Sequence, residues 1–167
     1  MYIVGQILGF VAFVVSLFAY QRVKKKDILL CMVLSNIINL VHYLMIGAFS
    51  GCITKTIAIF RDSFIVLKEK NKGLSNILFL LIFILIYVLV SIYTFTSILS
   101  LFPLIAAIIY IIPTWLGNSK TVKKAALLCY VLWLIYNIYV LSIAGLIANI
   151  ISIVSIIIGL KRGIKWI

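Results

Sequence analysis

Two sets of polar and aromatic side chains interrupt apolar stretches of this sequence at a helical spacing. The first set is Asn36, Asn39 and Tyr43, at positions i, i+3 and i+7. The second set has the same spacing and consists of Tyr130, Trp133 and Asn137. On a helix this spacing places each set on one face. A pocket between two such faces could orient a small polar solute, with the indole as a flat apolar wall. The alternative, left open here, is that the amides only hydrogen-bond neighbouring helices.

Three charges fall inside the third apolar segment of the chain, at Lys55, Arg61 and Asp62. Each has an insertion cost of about 2.5 to 3.5 kcal/mol at the centre of a membrane. Lys55 lies near one end of the segment and is expected to extend toward the membrane surface. Arg61 and Asp62 lie deeper and need partners from other helices, so we favour structural pairing over a transport role for them.

Other residues with chemical potential give weaker signals. His42 could relay protons, but a neutral imidazole bonded to the backbone is the preferred interpretation. Pro103 and Pro113 bracket the fifth apolar segment, where each removes a backbone donor and is expected to bend the helix. With three acidic residues, one histidine and three widely spaced cysteines, the sequence offers no nucleophile and base pair and no metal cluster. We therefore predict no enzyme activity, no metal and no cofactor.

The composition excludes a water-soluble globule. Hydrophobic residues make up 66% of the chain and charged residues 11%, against an apolar share of about half in soluble domains. The net charge of +12 does not indicate a nucleic-acid partner, because the basic residues lie between apolar runs rather than on a solvated face. The partner predicted instead is the lipid bilayer.

The apolar runs predict an all-α membrane protein with seven transmembrane helices. The predicted segments are Tyr2–Tyr20, Ile28–Ile46, Cys52–Leu67, Leu74–Tyr93, Leu99–Leu116, Ala125–Ile143 and Leu146–Leu160. Lysine and arginine cluster after the first, third, fifth and seventh segments, whereas the alternate loops carry none. Since positive loops face the cytosol, the count of crossings is odd, with the amino terminus outside and the carboxyl terminus in the cytosol.

An internal repeat relates the first three segments to the last three. An offset of 94 residues superposes them without a gap, placing Gly51 on Gly145 and Tyr43 on Asn137. The fourth segment separates the two triplets, so both enter the membrane in the same direction. The predicted organisation is a first three-helix repeat at 1–73, a linker helix at 74–98 and a second repeat at 99–167.

This three plus one plus three arrangement resembles the SWEET and PQ-loop transporter superfamily. A closer resemblance, to the YgjV family of bacterial inner-membrane proteins, is carried by these stretches: Val41 to Gly47, Ile59 to Arg61, Leu101 to Ile105, Trp133 with Tyr136 and Asn137, and Ser142 to Gly145. Tyr136 stands where that family would have His, and Asn149 where it would have Glu. The resemblance implies a SWEET-like fold in the bacterial plasma (inner) membrane and supplies no substrate.

The leading functional hypothesis is a transporter of a small polar solute, working by alternating access between the two repeats. A solute site of this kind should measure roughly 300 Å³ or more. The rival hypothesis is a non-transporting scaffold or accessory subunit. A third is a vitamin or nucleoside carrier, because Trp133 and Asn137 resemble a pairing in nicotinamide riboside transporters. The substrate, the energy coupling and a homo-oligomeric state are left open by the sequence.

Overall fold

The computed structural model describes residues 2–70 and 77–164, and within these ranges the prediction of an all-helical chain is confirmed. The helices are α1 (Tyr2–Gln21), α2 (Lys25–Met45), α3 (Phe49–Lys70), α4 (Ile77–Tyr93), α5 (Phe102–Leu116), α6 (Ser119–Tyr139) and α7 (Ile143–Ile164), with a 3-10 turn at Ile98–Leu101. The predicted start of the fourth segment at Leu74, and the predicted boundary between residues 73 and 74, lie outside the described residues.

Several helices begin earlier than the apolar runs predicted. The second begins at Lys25 instead of Ile28, and the sixth begins at Ser119 instead of Ala125. Asn118 caps α6, because its side-chain oxygen accepts hydrogen bonds from the backbone N–H groups of Lys120 at 3.0 Å and Thr121 at 3.1 Å. The start of an apolar run indicates where the chain would enter the hydrocarbon, whereas the capping residue determines where the helix begins.

Among residues 2–70 and 77–164, four helical stretches are long and apolar enough to cross a membrane: Tyr2–Gln21, Lys25–Met45, Ile98–Leu116 and Ser119–Tyr139. Two apolar stretches are shorter, Ile77–Tyr93 and Ile143–Ile158. The remaining helix, α3, has 22 residues, which is a sufficient length, but it carries the charges at Lys55, Arg61 and Asp62.

Six of the helices form a ring. The second helix packs between α1 and α3, and α6 packs between α5 and α7. The ring closes because α1 also packs against α7, and α3 against α5. Helix α4 contacts α3 and α5 only from outside the ring, and few of its side chains are buried.

The distribution of polarity is inverted relative to a soluble protein. Large apolar side chains such as Ile3, Phe60 and Leu116 are exposed on the outer surface. Polar side chains such as Asn36, Asp62 and Asn137 are buried in the interior. This pattern is expected where the surrounding solvent is hydrocarbon and polar groups turn inward.

The two helix pairs on either side of the ring repeat the same bonds at an offset of 94 residues. The Ser35 hydroxyl donates to the Ala12 carbonyl at 2.9 Å, and the equivalent Cys129 thiol donates to the Ala106 carbonyl at 3.1 Å. The turns that follow α2 and α6 also have matching backbone hydrogen bonds. In the first turn the Ala48 N–H donates to the Tyr43 carbonyl, and in the second the Ser142 N–H donates to the Asn137 carbonyl, both at 2.9 Å. The Cys52 N–H to Ala48 carbonyl bond is likewise matched by the Leu146 N–H to Ser142 carbonyl bond.

These two turns share a left-handed residue, at Gly47 (φ +75°) and at Leu141 (φ +53°). We expect Gly47→Ala to lower the free energy of unfolding by about 1 kcal/mol, because an added Cβ meets no atom within 4 Å and only the backbone conformation is strained. At the equivalent position, Leu141→Gly should be more stable than Leu141→Ala by a similar amount. Thermal unfolding in detergent measures both, and equal midpoints for Leu141→Gly and Leu141→Ala would contradict the strain.

Candidate functional site

A cavity of about 110 Å³ lies at the centre of the helix ring, and all seven helices contribute to its lining. The lining includes both predicted polar sets: Asn36, Asn39, Tyr43, Tyr130, Trp133 and Asn137. Lys55, Arg61 and Asp62 line the same cavity. The structure therefore brings the two polar sets and the three charges together, in a volume smaller than the roughly 300 Å³ expected of a solute site.

Two residues that the sequence offset of 94 pairs with each other meet directly beside this cavity. The Tyr43 hydroxyl donates a hydrogen bond to Asn137 Oδ1 at 2.8 Å, and these residues are 94 positions apart. The Tyr43 ring also stacks on Trp133, with centroids 5.7 Å apart and planes 28° apart. The cavity wall thus contains a direct bond between the first and the second half of the chain.

Two glycines make this contact possible. A Cβ added to Gly51 would lie 3.0 Å from Tyr43 Cγ, and one added to Gly145 would lie 2.6 Å from Asn137 Cγ. Gly51 and Gly145 are themselves equivalent at the offset of 94. Each lets a following helix approach the polar residue of the preceding one, so the glycine match found in the sequence has a packing cause.

The buried charges form one network. Asp62 is fully buried, and its Oδ1 lies 2.7 Å from Arg61 Nε while its Oδ2 accepts from Asn36 Nδ2 at 3.3 Å. Arg61 Nη1 donates to the Tyr87 hydroxyl at 3.2 Å. The guanidinium also lies 5.1 Å from the Tyr110 ring centroid. Partners from α2, α4 and α5 thus surround the ion pair, as its depth requires.

Lys55 does not extend toward the membrane surface, as the sequence had led us to expect. Its Nζ lies 4.0 Å from the Trp133 ring centroid, and the residue lines the cavity. The aromatic face attracts the ammonium, and this contact contributes about 2 kcal/mol in a desolvated site. That is less than the cost of about 2.5 to 3.5 kcal/mol for placing a charge in the membrane interior. The ring draws Lys55 inward without fully compensating its charge.

His42 joins three helices and does not line the cavity. Its Nδ1 lies 2.7 Å from the Gly5 carbonyl, which can only accept, so Nδ1 carries the proton. Nε2 then accepts from the Ser142 hydroxyl at 2.9 Å, and the Ser142 oxygen accepts from Gly145 N–H at 3.1 Å. Every donor and acceptor around the ring is matched, which fits the structural interpretation of His42 better than a relay to the cavity.

Tyr136 is a residue whose role the sequence did not reveal. Its hydroxyl lies 2.6 Å from Ser50 Oγ and accepts from the Gly51 N–H at 3.0 Å, at the start of α3. Tyr136 and His42 are paired by the offset of 94, and each bonds a residue in the opposite half of the chain. The only available signal was the departure from His at this position.

The other predicted residues are placed as follows. Asn39 donates from Nδ2 to the Ser35 carbonyl one turn earlier at 3.1 Å, so that donor is used within its own helix. The Tyr130 ring packs edge-on against Tyr20. Pro103 lies in the first turn of α5, where no donor is required, so it begins the helix and does not bend it. Pro113 lies inside the last turn of α5.

Two buried polar atoms in the cavity wall have no partner in the described part of the chain. They are the Tyr110 hydroxyl and the Asn149 side-chain nitrogen. Tyr110 is 9% exposed and Asn149 is 5% exposed. An unpartnered buried polar group is unfavourable unless something else bonds it, so both atoms indicate a solute or water in the cavity. Asn149 was noted in the sequence as a departure from the Glu of the resembling family, whereas nothing had singled out Tyr110.

The charge network gives a stability prediction. Asp62→Asn should lower the free energy of unfolding by about 3 to 5 kcal/mol, because Arg61 would remain buried without a counter-charge. The double variant Arg61→Met with Asp62→Leu should recover most of that loss, since no buried charge remains. Tyr87→Phe is the control and should cost only about 1 kcal/mol, the value of one hydrogen bond. Thermal unfolding in detergent tests this, and a double variant no better than Asp62→Asn would contradict it.

Comparisons with known proteins and protein families identify the family of this chain. Neither the curated proteins nor the solved structures that were searched gave a match. A family profile described as Imp-YgjV, bacterial inner membrane protein, matches residues 3–165. Since the match covers nearly the whole chain, this membrane protein belongs to the Imp-YgjV family of bacterial inner membrane proteins.

Proposed function

We propose that this protein transports a small polar solute across the bacterial inner membrane through the central cavity. The observation that carries the proposal is a cavity at the junction of the two helix triplets, lined by polar residues of both and by two unpartnered polar atoms, Tyr110 Oη and Asn149 Nδ2. Both atoms belong to residues that line the same cavity, so a polar solute bound there would satisfy them.

The proposed architecture has seven crossings, with residues 1–73 and 99–167 as co-oriented repeats joined by the linker at 74–98. It is supported by the bonds repeated at an offset of 94, by the direct contact of Tyr43 with Asn137, and by the alternation of lysine-rich loops. In this arrangement the amino terminus is outside and the carboxyl terminus is in the cytosol. Two parallel triplets around a midplane site support placement in the SWEET and PQ-loop superfamily.

Hydrogen bonds between the proposed repeats lie at both ends of the cavity. At the proposed outer end, His42 bonds Ser142, and Tyr136 bonds Ser50. At the lysine-rich end, Lys68 Nζ donates to the Trp115 carbonyl at 2.9 Å. Breaking one set while keeping the other would open the cavity to one side, as alternating access requires.

The rival candidate is a non-transporting scaffold. It is favoured by the polar side chains that bond between helices, such as Ser35 with Ala12 and Asn36 with Asp62. A scaffold has no flux to measure, so the transport assay separates the two. A nucleoside or vitamin carrier is less well supported, because sites for ligands of that size begin at about 300 Å³.

A plug in the cavity wall tests the proposal. Ala148 lines the cavity on α7, and Ile150 lies two residues further along the same helix with 47% of its side chain exposed. In proteoliposomes, Ala148→Phe should reduce solute flux to the level of protein-free vesicles, because the ring fills the cavity. Ile150→Phe introduces the same ring on the outer surface and should leave the flux unchanged.

The assay follows osmotic swelling with a panel of urea, glycerol, acetamide, acetate, nitrate and methylammonium. Wild-type vesicles should swell faster than protein-free vesicles for at least one of these solutes. If Ala148→Phe leaves the flux unchanged, the cavity is not part of the transport pathway.

A further inference from the structure

We infer that the solute held in the cavity is a small monoanion, and that the Lys55 ammonium is the group that recognises its charge. This inference deepens the proposed transport function and rests on it. Its basis is the balance of charge in the cavity wall, the chemistry of the unpartnered groups there, and the volume available.

The cavity wall carries two cations and one anion. Arg61 and Asp62 compensate each other, and both carboxylate oxygens of Asp62 are occupied, one by Arg61 Nε and the other by Asn36 Nδ2. Lys55 is left with the neutral face of Trp133 as its contact. The cavity therefore holds one positive charge that the residues around it do not neutralise.

Asp62 is the only acidic residue among the described residues that line the cavity. The sequence has three acidic residues in all, and the remaining two are Asp27 and Glu69. Asp27 lies in the first turn of α2 and is not part of the cavity lining. Glu69 follows Lys55 by fourteen residues on α3, which separates the two backbone positions by about 21 Å along the helix. The described residues that line the cavity therefore supply no second anion, and a bound anion would provide the counter-charge of Lys55.

The unpartnered polar groups of the cavity wall also favour a negatively charged solute. The Asn149 side-chain nitrogen is a donor, and the Tyr110 hydroxyl has a proton to donate. Asn149 is the equivalent of Lys55 at the offset of 94, so an amide donor and an ammonium stand at corresponding positions of the two halves. The Asn149 nitrogen bonds only acceptors such as the oxygens of an anion, whereas the Tyr110 hydroxyl can donate to an anion or accept from another donor.

The volume limits the size of the anion. A cavity of 110 Å³ corresponds to about three or four times the share of liquid volume taken by one water molecule. A short carboxylate or a small inorganic oxyanion fits this space, and both present the same chemistry of one negative charge spread over planar oxygens. Competition between the two in solution identifies which source the protein prefers.

Acetate and acetamide provide the decisive pair of probes, because they have nearly the same size and shape and differ in charge. Purified full-length protein in detergent, in a low-halide buffer, is titrated with acetate, acetamide and nitrate while its thermal unfolding midpoint is followed. We expect acetate, nitrate or both to raise the midpoint with saturation, and acetamide to leave it unchanged. Saturation by acetate alone identifies a carboxylate site, and saturation by nitrate alone identifies an inorganic one.

Variants of Lys55 assign the effect to its charge. Lys55→Met keeps the length of the side chain and should weaken acetate or nitrate at least tenfold, whereas Lys55→Arg should retain the response. Lys124→Met is the control, because it also removes one lysine charge, but Lys124 is exposed on α6 and does not line the cavity. It should bind the anions as the wild type does.

Two outcomes overturn the inference: acetamide raises the midpoint as much as acetate, or neither anion raises it. The comparison of acetate with acetamide uses the wild type, so it holds even if Lys55→Met fails to fold. Failure of the transport function would be a separate result. In that case acetate binds and Lys55→Met abolishes binding, but proteoliposomes show no flux of acetate. If a neutral solute crosses in the swelling assay and no anion binds, the proposed transport function stands and the inference of an anionic solute is wrong.

Discussion

A polar group surrounded by hydrocarbon has no water to bond, and the arrangement of this bundle follows from that constraint. Asp62 is satisfied by Arg61 and Asn36, Arg61 is satisfied in part by Tyr87, and His42 is satisfied on both ring nitrogens. These bonds connect helices that are distant in sequence, so they fix which faces point inward. The exposed outer surface can then be almost uniformly apolar, because the interior has absorbed the polar side chains.

The charges of this bundle are unevenly distributed. The backbone bonds of the two helix triplets agree closely, yet Lys55, Arg61 and Asp62 all belong to α3, and the equivalent stretch of α7 has Asn149 in place of the lysine. One wall of the cavity is therefore ionic and the opposite wall is neutral. A solute bound between them meets two different surfaces, which fixes its orientation in the site.

Much of this could be predicted from the sequence, because helical phase and internal repetition depend on residues close together in the chain. The spacing of Asn36, Asn39 and Tyr43 placed them on one face, and the offset of 94 paired Tyr43 with Asn137, although it did not predict their hydrogen bond. What could not be predicted depends on which helices become neighbours. Lys55 lies inside because Trp133 of α6 faces it, and Tyr87 reaches Arg61 only because α4 packs beside α3. Tyr110 had no sequence signal, since a tyrosine in an apolar helix is indistinguishable from a core residue until its missing partner is seen.

The bond between Tyr43 and Asn137 also bears on how such a bundle could have arisen. If two identical chains of one triplet paired with each other, both sides would carry the same residue, so a phenol could not face an amide. Their buried charges would also come in even numbers. In a single chain the two sides can differ, so one of them can carry a charge such as that of Lys55 without a second copy of it.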